Sequence, residues 1–502
     1  MTDVPISREQ IKLKKSNKKG VETFGVECIP DEARTASAMN LFQMIFGGCN
    51  TFATAVLGSF PVVYGLSFVA GFWAIVLGSL LGGIILSPMG FFGPLNGTNN
   101  AVSSGAHFGI HGRIVGSFLS LLTAVSFFSL SVWSSGDALI GGAHRLLGVT
   151  QTGSHQAIVY GLFALLVLII CIYGFRYLLW VNKLAVIASS FLFLIGIPAF
   201  IHTFHFNYAG SIHLNQPGFW AAFVASMLMA MSNPISFGAF LGDWARYIPQ
   251  NTSRKNIAAA VVLSQVATLI PFIFGLGTAT VVAVQAPEYI AKSDYVGGLL
   301  AISPGWYFFP VCLIAFIGGL STGTGALYGT GLDLSSIFPR LFSRAKATIL
   351  VGILAIIFIF VGRFVFNFVQ SMSTFATLIV TCTTPWIIIM LIGFIKRRGW
   401  YDTYDLQAFN RGERGGRYWF SHGWNWRGLG AWIPSAVIGL MFVNMPGQFI
   451  GPFGSIAGGV DISLPIAIAL ATCLYLSFLT IYPEPSAVFK HSKDHVSQQH
   501  KV

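Results

Sequence analysis

The stretches Phe46-Gly47-Gly48-Cys49-Asn50 and Ser232-Asn233-Pro234-Ile235-Ser236-Phe237-Gly238 interrupt two otherwise apolar runs, one in each half of the chain and in matching places. Glycine, proline and polar side chains are costly at mid-membrane depth, because lipid offers no hydrogen-bond partners; they are tolerated where unwound backbone lines a cavity. One such interruption per half is the pattern of a secondary transporter built from inverted repeats around a central binding site.

The rest of the chain fits this reading. Of 502 residues 54% are apolar and 9% charged, against roughly 25% charged in a soluble domain, so much of the surface must face a lipid bilayer. Twelve runs approach or exceed the roughly 18 to 20 residues that span one: 38–62, 67–92, 114–143, 157–179, 184–203, 219–242, 257–284, 306–334, 347–369, 372–395, 429–447 and 462–483. The third, eighth and tenth are long or polar enough to bend or break. The expected fold is an all-α polytopic membrane protein of about twelve spans, with tails at 1–37 and 484–502 and no separate soluble domain.

Charge gives the orientation. With an even span count both termini share a side, and placing them in the cytoplasm puts 26 of the 29 Lys and Arg inside, leaving Arg145, Lys292 and Arg363 outside or at the edge. That asymmetry follows the positive-inside rule. The net charge of +12 is therefore mostly topology, basic loops facing an anionic leaflet. The run Lys12 to Lys19 reads as a solvated tail, which gives a nucleic-acid partner little support. No apolar h-region precedes the spans, so no cleaved signal peptide is expected, and residence in a plasma or inner membrane follows from the lack of targeting features.

The six cysteines, Cys28, Cys49, Cys171, Cys312, Cys382 and Cys473, show no C-x-x-C spacing and read as small packing residues rather than disulfide or zinc ligands. Glycines at small-xxx-small spacing, such as Gly78/Gly82 and Gly319/Gly323, read as close helix contacts. Within Gly318-Gly319-Leu320-Ser321-Thr322-Gly323-Thr324-Gly325 three hydroxyls cluster with four glycines. Hydroxyls can back-bond to their own helix, but they are also hard oxygen ligands for a small cation. No H-E-x-x-H, Walker-type or G-x-S-x-G motif supports an enzymatic or ATP-driven reading.

Asp137 stands out as the acid that falls clearly within a span, and intramembrane acids are functional candidates. Trp133 lies four residues earlier, on the same helix face, so an indole plane and a carboxylate could together hold a flat nitrogen heterocycle; the alternative is a solvated acid near the outer helix end. His107 and His111 read as exposed inner-loop residues, and His144 and His155 as outer-edge ones. Asp243, Arg246 and Asp333 read as anchors or gating ion pairs at the cytoplasmic edge.

Three segments together resemble the nucleobase-cation-symport-1 family, and within it the purine-cytosine permease branch. They are Phe46-Gly47-Gly48-Cys49-Asn50-Thr51, Phe240-Leu241-Gly242-Asp243-Trp244-Ala245-Arg246-Tyr247-Ile248-Pro249 and Ala326-Leu327-Tyr328-Gly329-Thr330-Gly331-Leu332. Tyr404-Asp405-Leu406-Gln407-Ala408-Phe409-Asn410-Arg411-Gly412 and Trp424-Asn425-Trp426-Arg427 extend the match, which runs from about residue 24 to 488. The resemblance implies a 5+5 inverted-repeat fold of the amino-acid/sodium symporter type, with repeats at about 38–203 and 219–395 and two extra helices at 429–483. It implies proton- or sodium-coupled uptake of a nucleobase or a related ring such as allantoin, hydantoin or a vitamin-like heterocycle, with no cofactor. By position it places substrate contacts at Trp133, Asp137, Ser236, Phe237, Phe46 and Gly47, and an ion-binding hydroxyl pair at Ser321 and Thr322.

The pattern departs from the family just after that pair. Cytosine-type members tend to carry Asn or Asp there, whereas this chain has Gly323, Thr324 and Gly325. Losing such partners removes hydrogen-bond discrimination, so Gly323 and Thr324 mark the substrate subsite where the ligand is expected to differ from cytosine. A transport-inactive sensing receptor, or an uncoupled facilitator of the same fold, is the alternative function. Oligomeric state is not encoded in any of these features.

Overall fold

The computed structural model describes residues 27–150, 152–173, 175–291, 294–338, 341–364, 368–445 and 449–489. The run Lys12 to Lys19, the rest of the N-terminal tail before residue 27, Lys292, the side chain of Arg363 and the C-terminal tail beyond 489 lie outside the described residues.

A helix or broken helix occupies each of the twelve predicted positions. Span 1 is the pair α1 (Ala38–Cys49) and α2 (Phe52–Val63), bent by 59° at Asn50 and Thr51. Ser37 starts α1 with a reciprocal capping box to Asn40, and the Thr51 hydroxyl restarts the chain as α2 by accepting from the Thr54 amide, so cap chemistry fixes both ends of the break. Span 2 is α3 (Phe68–Leu86), and the connection beyond it holds α4 (Asn100–Phe108). Then come α5 (Arg113–Leu147), α6 (Gly153–Tyr173) and α7 (Phe175–Phe200). Span 6 is α8 (Phe219–Ser236), a turn at 237–240, and the short α9 (Leu241–Ala245). The remaining spans are α10 (Arg254–Gln285), α11 (Gly305–Ile337), α12 (Arg344–Phe364), α13 (Phe368–Lys396), α14 (Trp426–Met441) and α15 (Ser463–Ile481). Among the described residues eight helices are long and apolar enough to cross a membrane, nine with the bent first span.

Two groups of spans surround the breaks. Helix α3 packs on α8, and α10 on α2 and α3, joining spans 1, 2, 6 and 7; α5 packs on α11 with α6 and α12 alongside, joining spans 3, 4, 8 and 9. Helix α7 touches both α1 and α11. The small-residue spacing acts here as expected. A Cβ on Gly78 would meet the Met227 carbonyl at 2.2 Å, and one on Gly319 would meet Ser135 Oγ at 2.0 Å, so these glycines set how closely the helices approach.

The expectation of a break in spans 3 and 8 is corrected: α5 runs unbroken for 35 residues and α11 for 33. Their hydroxyls satisfy the helix from within. Ser126, Ser129 and Ser134 donate to the carbonyl four residues back, and Thr324 donates to the Leu320 carbonyl at 2.7 Å.

The Lys/Arg-rich end is more folded than its loops suggest. His107, expected to be exposed, is wholly buried on α4, with Nε2 3.1 Å from the Tyr401 hydroxyl. Its neighbour Arg397 forms a 2.8 Å ion pair with Glu484, both side chains buried. Asn425 donates to the His107 carbonyl, so loop 10–11 and the start of the C-terminal tail close over α4. His111, also expected to be exposed, is half-buried among the rings of Phe409, Trp419 and Trp424. Asp243 and Arg246 are fully buried and Asp333 is 1% exposed, where it accepts from the Ser120 hydroxyl at 2.5 Å. Asp137 is therefore not alone among acids within the spans, and these three residues are buried in the protein rather than exposed. The reason is that α4 folds up against α9: a Cβ on Gly242 would meet Asn100 Oδ1 at 2.4 Å.

Candidate functional site

The two interruptions meet at one cavity. Gly48, Thr51 and Thr54 reach it from span 1, and Asn233, Ser236 and Phe237 from span 6; α7 adds Asn182 and α11 adds Thr322 and Gly325. Helix α5 contributes only apolar groups, Phe127 and Leu130, while Phe240 and Trp244 close the end nearest α9. One wall is thus aromatic and another carries amides and hydroxyls, the composition that orients a flat polar ring. The space is about 20 Å³, room for about one water, so a heterocycle can occupy it only when the walls part.

The aromatic wall is a packed cluster. Phe237, Phe240 and Trp244 have centroids 5.2 to 5.6 Å apart in tilted and edge-on arrangements, the geometry that ring quadrupoles favour. On the polar wall Asn233 joins the two breaks. Its Oδ1 accepts from the Cys49 thiol at 3.2 Å, and its Nδ2 donates to Thr54 Oγ1 at 3.3 Å. The Thr54 hydroxyl reaches back across the span 1 break to the Cys49 carbonyl. Helix α8 ends at Ser236, whose hydroxyl donates to the Asn233 carbonyl at 2.6 Å.

Beside the cavity lies a cluster of oxygens. Ser321 Oγ stands 2.6 Å from the Gly47 carbonyl and 2.6 Å from Asn182 Oδ1, and Thr322 Oγ1 donates to the Gly48 carbonyl at 2.7 Å. The Asn182 amide is oriented by its Nδ2, which donates to the Leu178 carbonyl at 2.9 Å. Two acceptors therefore contend for the single Ser321 proton. Hard, uncharged oxygens gathered at the end of a broken helix are the chemistry of an alkali-cation site. Gly47 is needed for this approach, since a Cβ there would meet Asn182 Oδ1 at 2.8 Å.

The structure brings Ser236, Phe237, Gly47, Ser321 and Thr322 to the cavity or its margin. It does not bring the others. Trp133 is 1% exposed within the α5–α6–α12 cluster, where its Nε1 donates to the Ile359 carbonyl at 3.3 Å. Asp137 accepts from the Tyr160 hydroxyl of α6. Phe46 is buried between Met44 and Gly48, which line the cavity, without lining it itself. A Cβ on Gly323 would point to Val167 and Ser131, and Thr324 bonds its own helix while its carbonyl accepts from Cys171. The cavity also uses residues that the sequence reading did not name as contacts: Asn182 and Thr54, and Asn233 and Trp244, which lie within the quoted stretches. Asn233 was within reach of the sequence, because it is an uncharged amide inside an apolar run; Asn182 fell between the runs 157–179 and 184–203, and only the early start of α7 at Phe175 puts it in a helix.

This architecture has close counterparts among solved transporters. MHP1, described as a nucleobase-cation-symport-1 family transporter and captured closed with bromovinylhydantoin bound, superposes with a TM-score of 0.70 at 18% identity, covering 92% of this chain and 97% of its own. The inward-facing conformation of MHP1 gives 0.66, at 18% identity over 95% and 98% of the two chains. A Na+-coupled sialic acid symporter in a substrate-bound outward-open state gives 0.61, at 14% identity over 91% and 92%. The fold is thus the inverted-repeat transporter fold with two additional helices. Among curated proteins, a putative purine-cytosine permease, YxlA of Bacillus subtilis (strain 168), is 25% identical over 467 residues, 91% of this chain and 95% of its own. The family model described as permease for cytosine/purines, uracil, thiamine, allantoin matches residues 28–466. With that match spanning both helix breaks, the cavity between them and the oxygen cluster beside it, the chain belongs to this family of multi-pass membrane permeases.

Proposed function

We propose that the protein is a sodium-coupled importer of a flat nitrogen heterocycle of the nucleobase or hydantoin kind, working by alternating access from a plasma or inner membrane with both termini cytoplasmic. The observation that carries this reading is the oxygen cluster at Ser321, Thr322, Gly47, Gly48 and Asn182, set directly beside a cavity with one aromatic and one polar wall. The hydantoin in MHP1 and the sodium coupling of the sialic acid symporter support the ligand class and the ion.

Each part has a physical task. A cation shared among Ser321 Oγ, the Gly47 carbonyl and Asn182 Oδ1 would relieve the contest for one proton and draw α1, α7 and α11 together, and no carboxylate belongs to this cluster, which favours sodium over a proton. The ring would lie against Phe237 with its polar edge toward Asn233 and Thr54. Because the closed cavity is far smaller than a heterocycle, loading requires spans 1 and 6 to move away from α5 and α11, and ion binding would favour the return.

The test is thermal stabilisation of the purified protein by cytosine, uracil, allantoin or thiamine, each with sodium or with choline as the replacement cation. A ligand bound only by the folded state raises apparent stability by mass action. The expected result is stabilisation by one ring compound, stronger in sodium, together with sodium-driven uptake in proteoliposomes. Sodium-independent stabilisation with a pH dependence would favour a proton, and binding without uptake would identify a receptor.

A further inference from the structure

The aromatic wall contains one polar group that the packing leaves unused. Trp244 is 2% exposed, and its indole Nε1 is buried without a hydrogen-bond partner. A buried donor of this kind costs stability until an acceptor meets it. The ring packs tilted against Phe237 and edge-on to Phe240, at centroid separations of 5.5 and 5.6 Å. Its Cζ2 corner, on the same edge as Nε1, lies 3.5 Å from where a Cβ on Gly325 would sit, and Gly325 itself lines the cavity. With glycine at 325, no side chain from α11 packs on this corner of the indole where it borders the cavity.

Building on the transport reading above, we propose that Trp244 determines specificity: its indole N–H donates to a carbonyl oxygen on the ring of the substrate, at the end of the cavity nearest α9. The polar wall at Asn233 and Thr54 and the donor at Trp244 then read two different edges of the same ring. This favours substrates with an exocyclic C=O over rings whose acceptors are confined to other edges. It also assigns a role to Gly325, one of the positions where the chain departs from the cytosine-type pattern: a larger side chain here would occupy the space beside the indole.

The experiment measures equilibrium binding of uracil and of pyrimidin-4-amine, which lacks the carbonyl, to full-length protein, Trp244→Phe and Gly325→Ala, in sodium. Phenylalanine keeps an aromatic ring against Phe237 and Phe240 but has no N–H. Loss of a neutral hydrogen bond predicts about tenfold weaker uracil binding with binding of the carbonyl-free ring unchanged. Gly325→Ala, which keeps the indole, should weaken uracil binding in the same selective way, so a poorly folding Trp244→Phe would not leave the question open. Equal loss for both ligands would show that only ring packing matters and would overturn the proposal, as would unchanged uracil affinity in both variants. If the wild-type protein bound neither these rings nor cytosine, allantoin or thiamine, the transport reading itself would fail and the proposal with it.

Discussion

Helix α5 contrasts at two levels along its length. Nearer its N-terminus Phe127 and Leu130 meet the cavity, with no polar side chain at the wall. Further along, on the side that i, i+3 and i, i+7 spacing from Leu130 defines, Trp133 and Asp137, the pair that sequence reading singles out, meet α12 and α6 instead. The contrast shows that a polar or aromatic residue inside a membrane helix signals contact with protein, but not with which protein surface. Trp133 and Asp137 do share a face, as i, i+4 spacing requires, and each finds a partner there.

The largest expected effect breaks or confirms this contrast directly. Trp133→Ala removes a buried indole and should cost about 3 to 5 kcal/mol of stability, seen as a large drop in melting temperature, while ligand affinity per folded molecule stays within a factor of two or so. A variant that folds normally but loses ligand binding would show that α5 presents the Trp133 face to the substrate when the cavity opens. Replacing both Ser321 and Thr322 by Ala should remove about 2 kcal/mol of sodium-dependent stabilisation, leaving a melting temperature that no longer responds to exchange of sodium for choline. Asn233→Leu, close in size but unable to hydrogen-bond, should weaken ring binding about tenfold in a direct binding assay.

The smallest effect concerns a buried group remote from the cavity. Burial on α4, with the nearby Arg397 charge, holds His107 well below the usual imidazole range, so it is neutral when folded. An unfolded histidine takes up a proton below about pH 6.5, which makes the unfolded state bind more protons as pH falls. Stability from this residue is therefore complete above that pH and declines below it, by somewhat under about 1 kcal/mol between pH 7 and pH 6. His107→Gln should flatten that part of the pH–melting curve without changing ligand selectivity. An altered selectivity would extend the functional site to the Lys/Arg-rich end.

Much of the fold was legible in the chain because lipid imposes strict rules. Apolar run lengths located a helix or broken helix at each of the twelve predicted positions, and the two glycine- and proline-containing interruptions located the breaks at Asn50–Thr51 and after Ser236. The Ser321–Thr322 pair also fell where the oxygen cluster forms. Composition failed where two environments look alike. The segment from Gly318 to Gly325 is as rich in glycine and hydroxyls as the span 1 break, yet it stays helical, because its hydroxyls bond within the helix or to α1 and Gly319 packs on Ser135. His107 read as a loop residue because nothing in a short inter-span segment shows that loop 10–11 will fold over it. The roles of Asn182 and Trp244 depend on which neighbour each helix edge meets, a tertiary fact that periodicity within one span does not contain.

The bonds among Cys49, Asn233 and Thr54 form a closed triangle that crosses the span 1 break and ties it to the end of α8. Mechanically this is a pinned joint rather than a pair of loose hinges: the angle of span 1 cannot change without stretching a link to span 6. Each link contributes only about 1 kcal/mol, so the joint is stiff against thermal jitter yet light enough for one arriving ligand to unlock. A ring that bonds to Asn233 or Thr54 does so by competing with a side of the triangle. Substrate recognition and release of the joint would then be the same event, and an empty carrier would have a built-in reason to keep both half-helices at rest.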